Sequence, residues 1–496
     1  MTGPLALAAA LLLAAAPAVP AVPAPAVPAP DAQAHWAIRA ADPQTQALFD
    51  RGLMMLYAFD VGEAQVAFGA AAQRDPDCAM AYWGLAEADT IDINEPSTPE
   101  GEKRGEDAVA KARAHLAHAG PDERDLITAM SQRYGKGTTS AKFSRYADAM
   151  TAFAKTHQDE PNGLVMAGYA VYTANDALVD AQNHMNFQAR EILADVDRAL
   201  ALEPANLGAH HLRVHLLEEV RRWDDAVPDA AALDGFTYAP GESHLPHMAG
   251  HIWARTGDYD RLINDNVRAV DNDRAWFALG DGPGQKYMHY YHDHDVDFVL
   301  YGLTTVGRND EARAFAARED TISQVRLALR LHDDARVEQL GSGETGAIAF
   351  ARAVAAARLG QFDVMRAEMA KKGASDGQRA VLIEAARALG AHDPAARVAA
   401  YARAYAATKT DLPGDPKNFW AVPIGEGYGA ALLAADRPAL AETVFAAELT
   451  RFPNDPHLEW GLARALAAQG QDNAAPLGAY RAHWKGARDL TLDDLG

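Results

Sequence analysis

From Pro43 onward, apolar residues recur at intervals of three and four, which is the spacing of one helix face, and no sustained stretch alternates as a strand would. Short Asp-Pro, Gly-Asp and Asn-Asp steps punctuate these Ala- and Leu-rich stretches at the places where a helix has to stop and restart. The first pair of predicted helices spans about Gln44 to Asp75. It turns at Phe59-Asp60 and packs through Ala64, Phe68 and Ala71. Asp75-Pro76 opens the next helix, Cys78 to Ala88, in which Tyr82, Trp83, Gly84 and Leu85 supply the aromatic, small and leucine positions where one hairpin helix nests on another. The same grammar continues toward the C-terminus. Ala351 to Leu359 runs into a turn at Gly360 to Asp363, and the last clear unit is Tyr428 to Leu433, Asp436-Arg437, Leu440 to Phe452, then Asn454-Asp455-Pro456 and Trp460-Gly461-Leu462. The pattern predicts an all-α chain of helical hairpins.

The histidines carry a longer period. His211 and His215 stand four apart, as do His247 and His251, and each member of the second pair lies 36 residues beyond its counterpart (247 − 211 = 251 − 215 = 36). That offset is close to the roughly 34-residue period of tetratricopeptide hairpins, so the expected fold is a tetratricopeptide-like α-solenoid with the two pairs at equivalent positions of adjacent repeats. Counting back from Arg221, Gly257 and Gly307 as equivalent inter-helix turns brings in a third repeat. Ten residues before the turn stand His211, His247 and Asp297; six before it stand His215, His251 and Tyr301; thirteen before it stand Gly208, His244 and His294. The third unit is offset by 50 rather than 36, which predicts a 14-residue inserted loop around Ala278 to Tyr291 containing Gly280 to Gly284.

Residues four apart on a helix lie one above the other, the geometry that two ligands of one ion require. His211, His215, His244, His247, His251 and His294, with Asp297 as a seventh ligand, are therefore the predicted metal ligands. They are more than one four- to six-coordinate ion takes, so two ions are expected. A nitrogen-rich shell favours copper, with zinc or iron as alternatives, whereas calcium and magnesium need more carboxylate. Two facing groups of three imidazoles would resemble the dicopper arrangement of oxygen-binding copper proteins, an analogy of geometry only. Glu218, one turn after His215, is the candidate catalytic base; a ligand role, the orienting of an imidazole, or a plain solvated place on the helix surface is equally open to it. Pro246 in a first helical turn would leave His244 in the preceding loop. Gly250, which costs about 1 kcal/mol against alanine inside a helix, implies a close neighbour. The remaining histidines, among them His115, His118, His332, His392 and His457, read as ordinary core or surface residues, and His184 as an outside candidate.

Charge and cysteine content narrow the function classes. With 68 acidic against 46 basic residues the formal charge is −22, which excludes nucleic acid as a partner and gives no attraction to an anionic membrane. Cys78 is the only cysteine, so any metal takes nitrogen and oxygen ligands. Leu5 to Ala16 reads as the apolar core of a secretory signal without a basic flank, followed by an Ala/Pro tract, and it is too short to span a bilayer. The expected organisation is a leader and linker over 1–34, N-terminal repeats over 35–204, His-rich metal-binding repeats over 205–315 and C-terminal repeats over 316–486. The mature protein is expected to be periplasmic or secreted, with no integral membrane segment.

Phe49 to Phe59 (FDRGLMMLYAF), Asp75 to Ala86 (DPDCAMAYWGLA), Gly208 to His215 (GAHHLRVH), His244 to Ile252 (HLPHMAGHI) and His292 to Phe298 (HDHDVDF) resemble segments of a family of bacterial, often exported, tetratricopeptide-repeat proteins of mostly unassigned function. The likeness covers about residues 44 to 315. It implies that the six histidines named above match recurrent histidines of the family. The chain departs at Asp297, where a histidine is common, at His210, usually Asn, and at Pro246, where the proline usually falls after the following Met. The functional expectation is a metal-dependent oxidoreductase acting on a small molecule, with hydrolysis second. The alternatives are a non-catalytic copper or zinc carrier served by a metal-donor protein, and a scaffold that binds peptides in its groove.

Overall fold

A computed structural model describes residues 34–90, 98–175, 177–180, 184–280, 285–340, 345–408 and 421–495. The leader and most of the Gly280 to Gly284 run lie outside the described residues, as does the side chain of Tyr290. Among the described residues there are 24 α-helices and no strand beyond one isolated bridge, Val179 to Met185. Consecutive helices pack against each other, and in the central hairpins alternate helices also touch: Pro161–Thr173 meets Leu207–Glu219, which meets His244–Thr256, which meets Gln285–Thr305. The protein is an all-α, tetratricopeptide-like solenoid of stacked hairpins.

One device ends the first helix of most hairpins. Phe59, Arg221, Gly257, Gly307, Gly360 and Asp436 all have positive φ. Beside them the backbone N–H of the next residue reaches back five positions, as in Asp60 to Met55 (3.0 Å), Arg222 to Leu217 (2.8 Å), Asp258 to Trp253 (3.0 Å) and Arg308 to Leu303 (2.8 Å). A left-handed residue followed by that bond satisfies the last carbonyls of a helix and reverses the chain. The three turn positions chosen as a common origin, Arg221, Gly257 and Gly307, are thus the same structural position in three repeats, with φ of 59°, 76° and 81°.

The third repeat is longer, but not through the loop expected. Its extra residues lengthen two helices: Tyr259–Phe277 has 19 residues where Trp223–Asp234 has 12, and Gln285–Thr305 has 21 where His244–Thr256 has 13. Extending the helices pairs the backbone groups of the added residues, which costs less than leaving a long loop's backbone unpaired. His244 is likewise the first residue of its helix rather than part of the loop before it.

The hydrophobic core falls into two clusters, one drawing on Ala34 to Leu327 and one on Val325 to Leu495. The His-bearing helices sit deep in the first. His244–Thr256 is buried at every residue from His244 to Arg255, so it has no solvent face. The first hairpin packs on the neighbouring Leu207–Glu219 helix: a Cβ on Gly208 would stand 2.3 Å from the Tyr57 ring, so only glycine lets those two helices meet. The C-terminal hairpins come back too, where Lys485 N–H donates to Val306 O (2.8 Å) and Pro453 O lies 2.2 Å from a Cβ built on Gly257.

Candidate metal centre

The six histidines form two groups of three, in each of which the ligand nitrogens lie within 4.8 Å of one another. The first is His211, His215 and His244; the second is His247, His251 and His294. The register explains the grouping. Residues ten and six before the turn of one repeat supply two ligands, and the residue thirteen before the turn of the next repeat supplies the third. The second group is the first moved along the solenoid by one hairpin, and it stops there because Asp297 and Tyr301 occupy the pair positions of the third repeat. The two groups adjoin, with the His244 and His247 rings 5.7 Å apart.

Within each pair the Nε2 atoms face each other, His211 to His215 at 3.0 Å and His247 to His251 at 2.9 Å. The Nδ1 atoms of His211, His247 and His251 are engaged outward. His211 Nδ1 lies 3.1 Å from the Tyr169 hydroxyl, and His211 also makes a backbone hydrogen bond with Tyr57. His247 Nδ1 lies 2.7 Å from Asn266 Oδ1 and 2.9 Å from Asp295 Oδ1, while His251 Nδ1 lies 3.1 Å from Glu218 Oε1. An Nδ1 that donates outward leaves a bare lone pair on Nε2, so in the second group two lone pairs point at each other. Two nitrogens each about 2.0 Å from one ion and at right angles to it would be about 2.9 Å apart, the spacing seen here.

Burial keeps the rings of the first group neutral. His211 and His244 are held well below the ordinary imidazole range by burial first and by neighbouring imidazoles second, and His215 is lowered to about 3 for the same reasons. Both ring nitrogens of His244 are buried without a hydrogen-bond partner, an arrangement that costs about 1–3 kcal/mol unless a ligand takes a lone pair.

Glu218 is positioned by the Leu207–Glu219 helix to reach His251, with Arg255 Nε 3.6 Å away. Burial raises its pKa, but His251 and Arg255 outweigh that and hold it at about 2. Of the roles open to it, the geometry is that of a carboxylate orienting an imidazole; one so acidic is a weak proton acceptor near neutral pH. Asp297 lies in neither group, and its Oδ2 pairs with Arg326 at 2.5 Å. His210 turns to Asp229 Oδ1 (2.8 Å) and Pro204 O (2.9 Å).

Several residues of the site were not picked out from the sequence. Phe59, noted only as part of a turn, covers the first group with its ring centroid 4.6 Å from His211 and 5.1 Å from His244. Phe298 covers the second, 4.9 Å from His247, 4.7 Å from His251 and 5.0 Å from His294. Behind His247, the buried Asp295 feels the charge of Asp273, which meets His292 Nδ1 at 3.1 Å, and His292 Nε2 lies 3.4 Å from Glu319. The available signal was HDHDVDF itself, of whose three acids the sequence reading singles out only Asp297. Two other clusters of acids and histidines occur among the described residues. Asp77, His115 and His118 form an exposed group; in the buried group Glu426, Asp455 and His457, the carboxylate of Glu426 is held by Arg330 through bonds of 2.9 and 3.2 Å. His184 joins no group and stands beside Asp180 at 3.5 Å.

No family model matches the chain, and no curated protein matches it either. Among solved structures, the tetratricopeptide-repeat domain of P58(IPK) is similar at 14% identity, with 86% of this chain and 98% of that chain covered and a TM-score of 0.24. A superposition that loose carries no argument, so the fold class stands on the hairpins and turns described above. No helix among the described residues is long and apolar enough to cross a membrane.

Proposed function

We propose that the two histidine groups hold a pair of copper ions and that the protein is an oxidoreductase acting on a small molecule. The observation that carries this is the pair of buried triads whose Nε2 atoms converge at 2.9–3.0 Å while the outward nitrogens of His211, His247 and His251 are tied to the scaffold. Three neutral imidazoles and no thiolate suit copper, and zinc or iron less well. Two adjacent copper ions supply two one-electron couples, enough for a two-electron oxidation. Glu218 supports redox chemistry over hydrolysis, because its carboxylate is committed to His251 at 3.1 Å rather than facing open space. Phe59 and Phe298 keep the surroundings of low polarity, and the burial of His211 and His247 restricts access to small molecules such as dioxygen.

The leader-like Leu5 to Ala16 run supports work outside the cytoplasm, periplasmic or secreted, with copper received from a metal-donor protein. The test is elemental analysis of protein isolated from its native compartment, with oxygen uptake measured in the presence of a reductant. Two copper ions per chain with oxygen uptake are expected in the parent, and in each of His215→Ala and His251→Ala the loss of uptake together with the ion of the altered triad, with helix content unchanged. Stoichiometric metal without uptake would leave a carrier, and no stoichiometric metal would leave a peptide-binding scaffold.

A further inference from the structure

The two triads share a backbone register but not their surroundings. Around the second, His251 has Glu218 Oε1 at 3.1 Å, and His247 has Asp295 Oδ1 at 2.9 Å besides Asn266. Around the first, His211 has a tyrosine hydroxyl and a backbone group, and His244 has no hydrogen-bond partner on either nitrogen. Among the described residues no acidic side chain lies within ion-pair distance of His211, His215 or His244. A carboxylate behind a ligating imidazole strengthens its donation and offsets the charge of the ion. Where that carboxylate is missing, a buried divalent ion pays the full desolvation cost, which scales with the square of charge and is about fourfold smaller for a univalent ion.

We infer that the two positions are unequal: His247, His251 and His294 bind a divalent ion first and tightly, whereas His211, His215 and His244 form a weaker position that prefers univalent copper and exchanges it. This inference rests on the dinuclear reading. It adds an order of loading and a division of roles. The exchangeable position is the one a metal donor would fill last, and the tight position is the one that survives dialysis.

The experiment titrates metal-free full-length protein with zinc under chelator competition, and separately with cuprous ion against a cuprous chelator. The expected result is one zinc equivalent at least about 10-fold tighter than the second, with cuprous ion closing the gap. His294→Ala should abolish the tight zinc equivalent; His244→Ala should keep it and lose the weaker one. Glu218→Gln, a near-isosteric change that leaves the fold's packing in place, should weaken the first equivalent by about 10–100-fold and leave the second unchanged. Two zinc equivalents of equal affinity, reversed roles of the two His→Ala variants, or an unaffected first equivalent in Glu218→Gln would each overturn the inference while sparing the dinuclear reading. Absence of any stoichiometric metal would overturn both.

Discussion

At Gly250→Ala helix propensity and tertiary packing point in opposite directions. Gly250 lies inside the His244–Thr256 helix, where alanine is worth about 1 kcal/mol more than glycine, so local reasoning predicts stabilisation. A Cβ built there stands 2.2 Å from Asn266 Nδ2 and 3.3 Å from its Cγ. Asn266 cannot yield cheaply. Its Nδ2 donates to Leu262 O at 2.9 Å, and its Oδ1 faces His247 Nδ1 at 2.7 Å. Overpacking of this kind costs about 1–3 kcal/mol, and a displaced buried hydrogen bond adds about 1 kcal/mol. After the propensity gain is subtracted, the variant should be destabilised by about 1–3 kcal/mol. Losing the partner of His247 should also weaken metal at the second triad by about 10–100-fold, with little effect on the first. Urea denaturation of the metal-free protein reads the stability, and zinc competition reads the site. Asn266→Ala makes room for the methyl group, so adding Gly250→Ala to it should cost little more. A single variant stabilised by about 1 kcal/mol with unchanged metal retention would refute the reasoning.

Phe59 has φ of 57° and a fully buried ring over His211 and His244, so Phe59→Ala should cost about 3–5 kcal/mol, and Phe59→Gly about 1 kcal/mol less than that because glycine accepts the left-handed turn; chemical denaturation of the pair checks the order, opposite to that expected in a helix interior. Glu87 is buried beneath the Tyr146 hydroxyl, 2.7 Å away, and burial raises its pKa to about 7 against the lowering effect of that bond and of Arg133. A carboxyl raised in the folded state favours folding while it stays protonated, so its contribution is whole below about pH 4.5 and lost as pH climbs toward 7. Stability measured across that window should fall less steeply in Glu87→Gln than in the parent chain, and equal slopes would count against the assignment.

Much of the fold was legible because short-range rules set it. The three- and four-residue spacing of Ala64, Phe68 and Ala71 calls for a helix face, and all three are fully buried. The turn origin at Arg221, Gly257 and Gly307 was readable because glycine is favoured at a left-handed helix end, and because the histidine pairs repeat at a fixed distance from it. Arg221 and Phe59 take the same conformation without glycine's freedom, which only the periodicity revealed. The inserted loop was misread because an insertion of about four turns can join the helices on either side of it, about two turns to each, as readily as it can form a loop. Asp297 stood at the right register, yet the neighbouring helix brings Arg326 to it, and no spacing along one segment announces a partner 29 residues away on another.

By itself the sequence determined that the chain is helical, that its hairpins repeat, and that six imidazoles occupy three register positions, because each of these follows from interactions within a few turns of one helix. Only the tertiary structure decided how those imidazoles divide. The third ligand of each group comes from the next hairpin, so its reach depends on the rise and rotation between stacked repeats. The aromatic cover, Asn266 behind His247 and the carboxylates that distinguish one triad from the other depend on contacts between helices, where side-chain packing and burial act across distances that chain spacing does not encode.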